Sequence, residues 1–127
     1  MIEQQFTTWL DAYGRAYTTQ DPEAAASLFT ENATYQWGPF GELLRGPTEI
    51  HRRWAEWANP SEQDLRFEYE IVVVTDEIGI ARWMASSRFP SDERLVRYDG
   101  IFAVRLDDDL RCREFREWWN TQEERIA

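Results

Sequence analysis

The chain has 127 residues, enough for one domain with a core of its own, read here as a single domain over 1–127. Its 24 acidic residues against 14 arginines leave a net charge of −10, which repels nucleic-acid phosphates and anionic membrane surfaces, so neither is an expected partner. Aromatic residues make up 15% of the chain, seven of them Trp, an unusual amount of bulky apolar surface for this length.

No apolar run approaches the roughly 20 residues of a spanning helix, and no leader-like segment opens the chain. Cys112 is the sole cysteine, which rules out an internal disulfide and a thiol-based metal site. A cytoplasmic protein without a cofactor is the expectation.

In chain order, Phe6, Trp9, Leu10, Tyr13 and Tyr17 share one face of a helix predicted over about Glu3–Thr19. Asp21-Pro22 is a strong helix start, a capping side chain followed by a residue suited to the first turn. That short helix is predicted to run to about Phe29. Ala33–Trp37 reads as a short strand, broken by Gly38-Pro39 and Gly41. Gly46-Pro47 opens a third helix, with Ile50, Trp54 and Trp57 on one face, and Asn59-Pro60 ends it.

From Leu65 the period becomes alternating. Leu65, Phe67, Tyr69, Ile71 and Val73 form one row, with Arg66, Glu68 and Glu70 opposite. Asp76-Glu77 turns the chain into a strand from Ile78 to about Phe89. Pro90-Ser91-Asp92 turns it again, into RYDGIFAVRLDDDLRCREFREWWN, two strands joined at Asp107–Asp109. If Leu106 faces Arg111, then Tyr98 faces Trp119, Gly100 faces Glu117 and Phe102 faces Phe115. One side of the hairpin is then an aromatic wall carrying a carboxylate, with Arg113 as the other ionisable inward position. A loop one residue shorter or longer flips the rows of one strand. Three helices and an antiparallel run make an α+β domain with helices on one face of a curved sheet.

The order and spacing of these elements resemble the nuclear transport factor 2-like superfamily, and within it the SnoaL-like proteins. The helix with Trp9 and Tyr13, the segment QDPEAAASLFTENATY, the RGPTEI opening of the third helix and the YDGIFAVRLDDDLRCREFREWW hairpin carry the resemblance. It implies a cone fold, a curved antiparallel sheet wrapped around a long N-terminal helix and enclosing an apolar pocket, commonly in a homodimer. The family includes ketosteroid isomerases, polyketide cyclases, dehydratases and epoxide hydrolases, so fold sets the pocket and not the reaction.

By that resemblance Tyr13 matches the isomerases' first-helix tyrosine. Their base aspartate falls at Trp37 and their protonated aspartate at Phe102, and neither replacement can move a proton. Dehydratase-like members rely on two histidines and a first-helix aspartate. This chain has one histidine, and Thr18 stands near the aspartate's place. The Asp-Arg-Asp set of the epoxide hydrolases does not assemble from the inward rows. Leu110 replaces the usual turn glycine before the last strand.

The candidate catalytic residues are Glu117, Tyr13 and His51. A carboxyl ringed by Phe102, Phe115 and Trp119 is desolvated and suits a general acid or base; the alternative is an arginine partner or an outward position. Tyr13 either donates to a ligand oxygen or is an amphipathic core residue. His51 is one position off the apolar face of its helix and reads equally as an edge residue, with no i+4 partner for a metal. Trp37, Phe40, Trp54, Trp83, Tyr98, Phe102, Phe115 and Trp119 are the expected ligand contacts, with Trp57 in the same aromatic set. Asp99 and Arg116 fall on the outer sheet face, the expected homodimer surface, and read alternatively as a surface ion pair. The function expected is binding of a small apolar or aromatic molecule with no assigned reaction. The alternative is a cyclase, isomerase or dehydratase type of enzyme using Glu117 with Tyr13 or His51.

Overall fold

Helix α1 (Glu3–Thr18) buries Phe6, Trp9, Leu10, Tyr13 and Ala16, an apolar stripe at three- and four-residue spacing. The Gln5 side chain accepts the backbone N–H of Ile2 at 2.9 Å and so satisfies a donor at its start. Helix α2 (Pro22–Ala26) begins as the sequence suggests, with the Asp21 carboxylate accepting from Ala24 N at 3.1 Å. It ends earlier than expected. Leu28 O is taken by Cys112 N (2.7 Å) and by the Trp9 indole (3.2 Å), which pulls Phe29 into a strand instead.

The computed structural model describes residues 1–126. Strand β1 (Phe29–Trp37) is longer than predicted, and β2 (Leu43–Arg45) has no counterpart in the sequence reading. Helix α3 (Gly46–Trp57) follows directly, opened by Gly46 at φ +76° and Pro47. Strands β3 (Gln63–Val74), β4 (Gly79–Phe89), β5 (Arg94–Leu106) and β6 (Cys112–Arg125) complete the chain. The sheet order is β2-β1-β6-β5-β4-β3, with β1 and β6 parallel and every other pair antiparallel. The architecture is therefore α+β, a curved, open six-stranded sheet with α1 lying against it. The expected run of four antiparallel strands is present, and the parallel β1–β6 pair extends it.

Two bulges decide which side chains face inward. In β3 the register shifts between Ile71 and Val73, leaving Val73 exposed and turning Val74 toward the core, a correction to the alternating row. In the hairpin, Asp107 N donates to Arg111 O at 2.8 Å, closing the loop at Asp108–Leu110. The Asp107 carboxylate accepts from Asp109 N and Arg111 N at 3.0 and 2.9 Å. Leu110 takes the left-handed conformation, φ +61°, which the usual glycine adopts without strain.

The loop is closed by Asp107 and Arg111 rather than by Leu106 and Arg111, so Leu106 pairs with Cys112. A bulge at Arg113 then shifts the register again. Phe102 faces Glu117, Gly100 faces Trp119 and Tyr98 faces Thr121, each two residues from the expected partner. Two single shifts leave every later side chain on its expected face, because the period of a strand is two. Arg113 is the exception: it is exposed, and Cys112 is buried in its stead. A Cβ on Gly100 would stand 1.8 Å from Trp118 O, so the close approach of β6 there admits only glycine.

On the outer face, Asp99 stands opposite Asn120 rather than Trp118. Its carboxylate is gripped by Arg82 of β4 at 3.0 and 2.6 Å, and Arg116 instead lies 4.9 Å over the Trp118 ring. The Asp99–Arg116 pair suggested by the sequence is not formed. Arg82 is nearer to Asp99 because β4 and β5 lie side by side, Arg82 facing Ile101 two residues along.

Candidate functional site

Between α1, α3 and the concave face of the sheet lies a cavity of about 400 Å³. Its depth is set by burial. Tyr13 of α1, Tyr35 of β1, Trp54 of α3, Trp83 of β4 and Glu117 of β6 are all buried lining residues, whereas Trp57 and Trp119 are 44% and 38% exposed and mark the mouth. Tyr17, Trp37, Tyr98 and Leu65 form the sides between them, and Gln20, Ala58 and Glu62 complete the rim. The rim is strapped: Gln20 Nε2 donates to Asn59 O at 3.2 Å, and Asn59 N donates to Gln20 Oε1 at 2.7 Å. That pair ties the end of α1 to the loop after α3.

The rings interlock around the opening. Trp37 meets Trp57 edge to face at 5.2 Å, and Trp83 stacks near-parallel on Tyr98 at 6.4 Å. The Trp54 indole N–H points toward the Tyr35 hydroxyl without reaching hydrogen-bond geometry, and the Trp83 N–H also lacks a partner. Both nitrogens are shut away from solvent, so these residues offer ring surface to the cavity rather than donors.

Glu117 is the polar centre. It is 6% exposed, and one carboxyl oxygen receives the Tyr35 hydroxyl at 3.3 Å. Burial pushes its pKa up to about 8, against a smaller downward pull from that hydrogen bond. At neutral pH the group is therefore chiefly a neutral carboxylic acid. Burial also drives the Tyr13 and Tyr35 hydroxyls well above their ordinary range, with the neighbouring Glu117 adding to the effect, so both act as neutral donors. Among the described residues, no set of three or more His, Cys, Asp or Glu side chains is placed to hold a metal.

Of the sequence-predicted residues, Glu117, Tyr13, Trp37, Trp54, Trp83, Tyr98 and Trp119 do line this cavity. Phe102 and Phe115 do not. Both are fully buried behind Tyr13, at 5.1 and 5.5 Å between ring centres, and support the floor. Phe40 is 98% exposed, in the turn after β1, and does not line the cavity, whereas Trp57 does. His51, half-buried on α3, is not a lining residue and does not meet Glu117. Tyr35 was missed, although Ala33, Tyr35 and Trp37 share one strand row and Trp37 was recognised.

The family model described as the SnoaL-like domain matches residues 10–115. No curated protein matches the chain. Among solved structures, the Δ5-3-ketosteroid isomerase of a Mycobacterium species superposes with a TM-score of 0.75 at 16% identity, covering 94% of this chain and 98% of the other. A hypothetical protein with a ketosteroid isomerase-like fold from Catenulispora acidiphila, in complex with trimethylamine, gives 0.73 at 13%, covering 86% and 82%. An epoxide hydrolase of M. tuberculosis gives 0.68 at 13%, covering 92% and 84%. At these identities the likeness is one of fold. Among the described residues, no helix is long and apolar enough to cross a membrane.

Proposed function

The chain belongs to the SnoaL-like domain family, and from that premise we propose that its cavity binds a small, largely apolar molecule. The observation that carries the reading is the cavity itself, about 400 Å³ lined by five tryptophans and four tyrosines around one buried carboxyl. Packing alone does not account for it, since a core built only for stability closes such a space. The trimethylamine complex of the Catenulispora acidiphila protein is a case of a small molecule held by the same fold, and it supports the reading.

A second reading has its own support. Glu117, neutral at pH 7 and hydrogen-bonded to Tyr35, is poised to exchange a proton with a bound ligand, with Tyr13 beside them. This is chemistry of the isomerase or dehydratase kind, with Tyr35 in the partner role first considered for His51. One experiment addresses both readings. Tryptophan fluorescence titrated with small aromatic and alicyclic ketones is expected to show saturable one-to-one quenching, and the same incubations in D2O report any exchange of acidic C–H. Absence of saturable quenching by every compound would remove the binding reading. Binding without exchange would remove the proton-transfer reading alone.

We infer further that two copies associate through the outer sheet face, where Ile101 is 37% exposed and Met84 and Trp118 are half-buried. Light scattering on the native chain and on Ile101→Glu tests this; a dimer converted to monomer is expected, and a native monomer would overturn it. A cytoplasmic location is supported by the single, buried thiol of Cys112, which has no disulfide to protect.

A further inference from the structure

We propose that the molecule held in this cavity is an organic cation, a tertiary or quaternary ammonium on an apolar or aromatic frame, with the aromatic rings as its cage and Glu117 as its counter-ion. The inference deepens the ligand-binding reading and rests on it. Three observations point the same way.

The first is charge. The only lining residues that can carry a charge near neutral pH are Glu117 and Glu62, and no arginine or histidine lines the cavity among the described residues. An anionic ligand would meet carboxyl groups and no compensating cation. Glu62, on the rim, makes no ion pair among the described residues, although ten such pairs form elsewhere on the surface. Seven of the fourteen arginines take part in those pairs and none lines the cavity, so the lining carries no positive charge, only Glu62 at the rim and the buried Glu117 acid.

The second is the lining. Rings from α1, α3, β1, β4, β5 and β6 converge on one space, and the indole nitrogens of Trp54 and Trp83 are buried rather than exposed in it. Ring surface attracts an ammonium through its negative quadrupole face, most strongly where water is excluded.

The third is the state of Glu117. It is 94% buried in complement to its 6% exposure, and its single hydrogen bond, from Tyr35, occupies one oxygen. Facing it are Tyr35 from β1 and Tyr13 and Tyr17 from α1, with Tyr98 of β5 and Glu62 of the rim farther along the cavity. None supplies positive charge, so burial keeps the carboxyl protonated up to about pH 8. A cation arriving beside it supplies the missing charge and displaces its proton. Binding and ionisation are thereby coupled: the cation binds the ionised form, and the proton leaves to solvent.

The test compares phenyltrimethylammonium, whose charge is fixed at every pH, with its neutral isostere tert-butylbenzene, by calorimetry and tryptophan fluorescence on the full chain. The cation is expected to bind tighter by roughly tenfold or more. Its affinity should rise close to tenfold per unit from pH 6 to pH 8 and level off above, while that of the isostere stays flat. Runs in two buffers of different ionisation heat should show about one proton released per cation bound at pH 7. Glu117→Gln should weaken the cation alone and abolish the pH dependence, and Glu62→Gln should weaken it by a smaller factor. Equal or tighter binding of the neutral isostere would overturn the proposal and leave the binding reading standing. Binding of neither compound by the folded protein would overturn the proposal, and the binding reading falls with it only where the ketones also fail to bind.

Discussion

Replacing Glu117 by Gln should make the protein more stable than the native chain at pH 9 and leave it nearly unchanged at pH 5. The native carboxyl titrates near 8 in the fold, against an ordinary 4.5 when exposed. Between those values the folded state binds more protons than the unfolded one, so stability falls as pH rises. The contribution is fully present below about 4.5 and is lost as pH climbs through 8. A difference of 3.5 units corresponds to an upper figure of about 5 kcal/mol at roughly 1.4 kcal/mol per unit. In thermal melts that is a gap on the order of 10 °C at pH 9 between variant and native chain. Subtracting the two curves removes the exposed carboxylates, Asp99 and Glu42 among them, whose arginine partners shift them the opposite way. Parallel curves across the whole range would mean that Glu117 is ionised in the fold, and its assignment as a neutral acid would fail.

The same residue shows what the sequence could reveal. Its inward position followed from alternation along β6, and this survived a wrong register because the one-residue shift at the loop and the bulge at Arg113 cancel in parity. Neither shift was visible beforehand: Leu110 at φ +61° does what glycine ordinarily does, and a leucine there carries no turn signal. The helices were legible because Phe6, Trp9, Leu10 and Tyr13 repeat at helical spacing, and because Asp21-Pro22 and Gly46-Pro47 punctuate the chain. The end of α2 was not, since Phe29 is drawn into β1 by a distant strand, Cys112 N reaching Leu28 O. Parallel β1–β6 pairing depends on such long-range contacts and leaves no local pattern. Phe40 was misjudged for a related reason: hydrophobicity marks it for burial, but a five-residue turn after Trp37 directs it to water.

The hairpin's aromatic wall, read from the sequence as one surface, is expected to divide in two on mutation. Phe115 is fully buried, and its ring lies 4.6 to 5.9 Å from those of Tyr35, Phe102, Tyr13, Trp9 and Phe29. Phe115→Ala removes the centre of that cluster and should cost about 3–5 kcal/mol in denaturant unfolding. Trp119, two residues along the same row, is 38% exposed at the cavity mouth and touches Trp83 at 6.2 Å. Trp119→Ala should cost only about 1 kcal/mol, because much of its surface already meets water. Its expected effect is on binding, a loss of roughly tenfold in affinity for any ligand that quenches the native protein. The two substitutions thus separate support from contact along one strand. If Trp119→Ala left affinity unchanged, the ligand would have to sit deeper, against Tyr13 and Glu117. If Phe115→Ala were as mild as Trp119→Ala, the floor beneath them would not be the packed layer that fixes their positions.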